Sequence, residues 1–146
     1  MPEKETLERA RQDKREGKSP STQAGEFVRE EIEHVREGKH GVRSAKQAIA
    51  IGLSKARRAG VNLAVPKRGS KEMKEQAKRD LRKGKKQARK KSAKRARATR
   101  AALNREPHRA ASKLALSRHA KKAAKTRSAK SRSQAAKKAA RTRKKS

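Results

Sequence analysis

Lysine and arginine are the residues of this chain best equipped to do chemistry. They account for 47 of 146 positions against 14 Asp and Glu, a formal charge of +33. Ammonium and guanidinium groups at that density are phosphate partners. A DNA duplex carries one negative charge per roughly 1.7 Å of axis, and neutralising it releases counterions, which drives association with little regard to base sequence. The candidate contacts are Lys55, Arg57 and Arg58, read as an exposed basic edge, and Lys85, Lys86, Arg89, Lys90, Lys91, Lys94, Arg95, Arg97 and Arg100. Two near-identical octapeptides sixteen residues apart add Lys121, Lys122, Lys125 and Arg127, then Lys137, Lys138, Arg141 and Arg143. Residues 93–100 form a looser third copy.

Other chemistry is poorly supplied. Without cysteine there is no disulfide, thiol nucleophile or cysteine-containing zinc site. His34, His40, His108 and His119 form no two-histidine helical zinc motif and read as surface residues. Glu30, Glu31, Glu33 and Glu37 invite a metal reading, but helical spacing spreads Glu30, Glu33 and Glu37 along a solvated face, where they could pair with Arg29, Arg36 or the basic tail. No catalytic constellation, metal or cofactor is expected, so the chain reads as a non-enzyme.

The elements that must position these charges divide the chain in two. Residues 1–65 carry 14 basic and 10 acidic residues, whereas residues 66–146 carry 33 basic and 4 acidic. Large hydrophobics split the other way, with 11 of 18 between Phe27 and Val65. Ser19 caps a first helix with Pro20 at its first position, and Val28, Ile32 and Val35 recur on one face until Gly38. Ser44 to Gln47 fits a capping box for a second helix carrying Ala45, Ile49, Leu53 and Ala56, with Gly60 as the stop. Gly52 suits close packing between the two helices. A helix-turn-helix reader over residues 47–61 competes with this plain hairpin, but Gln47 and Arg58 would occupy its buried positions.

The expected class is all-α, with a small helical hairpin over about 19–60. A polar helix over 1–18, solvated or frayed, precedes it. Val61, Leu63 and Val65 end the 19–65 module as an extended tail across the hairpin, and a linker with a short amphipathic helix covers 66–86. Residues 87–146 then form a basic Ala/Lys/Arg arm, largely disordered or helical only on a partner, because like charges at i, i+4 oppose helix in free solution.

One aromatic residue, Phe27, leaves nothing on which to stack unpaired bases, so double-stranded DNA is the expected partner. RNA, or a ribosome-associated structural role, is the alternative. A membrane is not expected, for want of an apolar face to insert. The hairpin could support a homodimer.

The stretch Ser19 to Ile32, followed by Gly38-Lys39-His40-Gly41 and Ala45 to Gly60, resembles a family of small, very basic bacterial proteins of uncharacterised function, some labelled plasmid-stabilisation proteins. The Ala/Lys/Arg tail is similar to linker-histone tails and to lysine-rich tails of bacterial histone-like proteins. The resemblance implies a bacterial, cytoplasmic, nucleoid-associated setting and a role in plasmid or chromosome maintenance, and brings no catalytic residues.

Overall fold

The computed structural model describes residues 2–86 and 92–145. The candidate contacts Arg89, Lys90 and Lys91 lie outside the described residues. Seven α-helices and one 3₁₀ turn account for all regular structure among them: α1 Lys4–Arg15, α2 Pro20–Arg36, α3 Ala45–Arg58, α4 Lys71–Lys85, α5 Ala93–Asn104, the 3₁₀ turn Arg109–Ala111, α6 Lys113–Lys125 and α7 Ala129–Lys145. The chain divides into two compact units, residues 1–112 and 113–146.

The first unit is built on the α2–α3 hairpin. Ser19 and Ser44 accept hydrogen bonds from the backbone N–H of Thr22 and Gln47, satisfying donors that a helix start leaves unpaired. Gly38 ends α2 at φ +77°, a left-handed conformation that glycine reaches without strain. At the crossing, a Cβ on Gly52 would stand 2.6 Å from Val28 Cα, so only a missing side chain lets the helices approach this closely. α3 runs unbroken through Gly52, which settles residues 45–58 as a plain helix rather than a helix-turn-helix.

Two apolar clusters flank the crossing. One gathers Ala10, Ala24, Phe27, Ala56 and Val61, with Leu7, Leu53 and Leu63 against it. The other gathers Val35, Val42, Ala48, Ala110 and Ala111, with Ile32 and Ile51. Residues 61–66 form no regular element, and the buried Arg57 guanidinium donates to the Leu63 and Ala64 carbonyls at 3.3 and 3.2 Å. Val61 and Leu63 join the first cluster.

The elements around the hairpin are more ordered than the sequence suggests. α1 is no frayed helix: Thr6, Ala10 and Asp13 are buried against α2, and Arg9 donates to Glu26 at 2.7 Å. Small and polar residues make that contact, which is why a count of large hydrophobics misses it. α4 packs on α3 rather than serving as a linker. Ser70 caps it, Ala77 and Asp80 are buried, and a Cβ on Gly84 would stand 2.1 Å from the Arg57 carbonyl oxygen. Gly84 lies inside the helix as a contact point.

The largest correction concerns the arm, since the described residues after Ser92 are almost wholly helical and no long disordered segment follows. Alanine, lysine and arginine have the lowest helical cost, and this outweighs i, i+4 repulsion of a few tenths of a kcal/mol per pair. Residues 103–112 also return to the hairpin and complete its second cluster. Gly41 N–H donates to the Leu103 carbonyl at 3.0 Å, Val42 N–H to Pro107 at 2.9 Å, and Arg36 to the Ala111 carbonyl at 2.8 Å.

Candidate nucleic-acid interface

Exposed cations crowd α6 and α7, and α4 and α5 carry more. Residues 113–146 hold 14 basic residues and no acidic one. α6 and α7 bury none of their described residues, so their lysines and arginines stand exposed to solvent. At about 100° per residue, Arg118, Lys121, Lys122 and Lys125 fall at i, i+3, i+4 and i+7 and form one face of α6. Lys130, Lys137, Lys138, Arg141 and Lys145 do the same on α7. Alanines occupy the opposite side of both helices: Ala120, Ala123 and Ala124 on α6, Ala136, Ala139 and Ala140 on α7.

The octapeptide repeat thus becomes a repeated basic face, but its two copies end differently. The first closes at Lys125, with Thr126 hydroxyl donating to the Ala123 carbonyl, because Ser128 caps the next helix by accepting from Ser131 N–H. In the second copy Thr142 and Arg143 remain helical. Arg127 is therefore a turn residue, and Arg143 lies on the far side of α7 from Arg141. Arg118, Lys130 and Lys145 join the basic faces although they lie outside the repeat pairs. Helical spacing read through the repeat was the signal that would have found them.

α5 exposes Lys94, Arg95, Arg97 and Arg100, and Lys85 and Lys86 are exposed where α4 ends. The α3 trio differs. Lys55 Nζ lies 2.6 Å from Glu31 Oε2 and 3.5 Å from Glu30 Oε1. Arg57 is buried, and desolvation lowers its guanidinium pKa against the opposing pull of Asp80. Arg58 Nε donates to Asp80 Oδ1 at 2.7 Å. Lys55 and Arg57 hold the unit together from within and do not form the exposed basic edge expected of them.

Asp80 is almost wholly buried. Burial pushes its carboxyl up, but hydrogen bonds from Ser54, Arg58 and Gln76, with the Arg58 charge, outweigh that and hold it below the ordinary aspartate range.

Glu30, expected on a solvated face, is instead 2% exposed, and its neighbour Glu31 is 0% exposed. Glu30 Oε2 accepts from the Glu3 backbone N–H at 3.1 Å, while Glu33 pairs with Arg29 and Glu37 with Lys39. Neither oxygen of Glu31, nor Glu30 Oε1, has an aligned hydrogen-bond donor. His34 and His40, only 13% and 14% exposed in their side chains, stand at the same place, with His34 Nε2 2.9 Å from Glu3 Oε1 and His40 Nε2 3.2 Å from Glu31 Oε1. The His34 contact, then Lys39, hold Glu3 below the ordinary glutamate range.

Residues 11–69 match a family of unknown function (DUF6496). The matched stretch runs from within α1 through the whole hairpin to the segment that precedes α4, and so contains Gly52, Lys55 and the Glu31, His34 and His40 group. It stops before α4 and all of the basic faces. No curated protein and no solved structure matches the chain. No described helix is long and apolar enough to cross a membrane.

Proposed function

We propose that this protein binds double-stranded DNA without sequence preference, using the basic faces of α6 and α7 with support from α5, and that it acts in the nucleoid by neutralising and bridging duplexes. The observation that carries this reading is the set of 14 cations in residues 113–146, all but Arg127 on α6 and α7, with no Asp or Glu among them. α7, with 17 residues, presents roughly 25 Å of such a face, enough to follow about fifteen phosphates at duplex charge density. Preset helices present their charges without the full ordering cost of a flexible tail. Exposed cations in both units, on α5 and on α6 and α7, supply the two attachment points that bridging requires.

Duplex is favoured over single strands because stacking on unpaired bases relies chiefly on Phe, Tyr and Trp rings, and the one such ring here, Phe27, is buried in the hairpin. A competition assay tests this. Full-length protein on labelled random-sequence duplex should be displaced by unlabelled duplex of a different sequence as well as by the same one, and less well by single-stranded DNA of equal phosphate content. Preferential displacement by structured RNA would replace this reading with the ribosome-associated alternative.

A further inference from the structure

We propose that Glu31, His34 and His40 form a structural divalent-metal site, with zinc the best-fitting ion, that locks the end of α2 to the loop following it. One ligand atom from each of the three lies within 4.8 Å of the other two. Glu31 and His34 are three apart on one helix and face the same way, the Glu-x-x-His arrangement that helix bundles use to hold metal. His40 approaches from the Gly38–Gly41 turn, its ring edge-on to His34 with centroids 6.3 Å apart.

The geometry of the facing atoms suits a cation. His40 Nδ1 lies 3.1 Å from the Gly41 carbonyl oxygen, which leaves Nε2 toward Glu31 Oε1, 3.2 Å away. A metal ion could take both of these atoms as ligands. Tetrahedral zinc with bonds of about 2.0–2.2 Å sets neighbouring ligand atoms roughly 3.4 Å apart, so Glu31 and His40 already stand at that separation. The Gly41 carbonyl would then orient a ligating imidazole, as outer partners of metal-bound histidines do.

Glu31 supplies the second, independent sign. Its carboxylate is fully buried, and neither oxygen has an aligned donor. Lys55 Nζ brings compensating charge to Oε2, leaving Oε1 toward the histidines. Two imidazoles and a carboxylate are a donor set suited to zinc. The Glu3 carboxylate, beside His34, is the nearest candidate for a fourth ligand and would add the chain's N-terminal segment to the lock.

The test uses the full-length protein stripped with chelator and titrated with Co2+, whose visible absorption reports four-coordinate binding, and with Zn2+ by calorimetry. One equivalent of either metal should bind. His34→Gln and His40→Gln should each weaken binding by more than the roughly tenfold that outer-sphere changes cost, while His119→Gln should not. Far-UV circular dichroism establishes that each variant is folded. Should a histidine variant unfold, Lys55→Met decides: removal of the competing ammonium should tighten metal binding, and Zn2+ should raise that variant's unfolding midpoint. Absence of a stoichiometric site in the wild type, retention of full affinity in a folded His40→Gln, or a Lys55→Met midpoint indifferent to Zn2+ would each overturn the proposal.

Discussion

Arg58 Nε and Asp80 Oδ1 meet at 2.7 Å, joining the last turn of α3 to the middle of α4. Ser54 and Gln76 donate to the same carboxylate at 2.7 and 3.0 Å. This contact makes α4 part of the folded unit. Asp80→Ala should cost about 2–3 kcal/mol, the range for hydrogen bonds to a buried charge, with the Arg58 share reduced by its exposure. Urea unfolding of both proteins measures it.

The same carboxylate sets a pH dependence. Its folded pKa is depressed, so its contribution is complete above the unfolded value of about 4 and is lost as pH falls through the lower folded value. The stability gap between wild type and Asp80→Ala should be constant from pH 5 to pH 8 and shrink on acidification below pH 4. Unfolding curves across that range check the sign, and a gap that widened in acid would refute the assignment.

Gly52 and Gly25 make a matched pair on the hairpin. Gly52→Ala drives a methyl group into the Val28 backbone and should destabilise by about 1–3 kcal/mol or more, as overpacking does. Gly25 has nothing within 4 Å of a built Cβ and is helical, so Gly25→Ala should stabilise by about 0.5–1 kcal/mol. Opposite shifts in thermal midpoint are the expected reading.

The return of residues 103–112 depends on Gly41, where a Cβ would collide with the Glu106 carbonyl oxygen. Gly41→Ala should release that segment while sparing the α2–α3 crossing. Limited trypsinolysis should then cut at Arg105 and Arg109 much faster than in the wild type. Equal cutting rates would mean the segment is not held there.

Much of the hairpin was legible because local signals govern it. Ser19, Pro20, Ser44 and Gly38 act within a few residues of their own positions, and Gly52 lacks a side chain where two apolar stripes meet. Other features were set by distant partners. Glu30 looked solvated because its companions, the Glu3 backbone N–H and Lys55, become neighbours only when α1 and α3 pack against α2. Arg57 looked exposed because the groups it serves are the backbone carbonyls of Leu63 and Ala64, which no side-chain pattern announces. The second cluster is closed by Ala110 and Ala111, too small to register as core. The basic residues were legible from composition alone, but their order was not: repulsion was weighed above the helix preference of alanine and the cap at Ser128.

The salt dependence of duplex binding tests the central claim most directly. Each phosphate contact contributes about 0.9 to the slope of log affinity against log salt. Replacing Lys121, Lys122, Lys137 and Lys138 with glutamine in the full-length protein should therefore lower that slope by about 3–4, equally for duplexes of unrelated sequence, without loss of helix content. An unchanged slope in the folded variant, or a wild type that fails to bind duplex at low salt, would contradict the account.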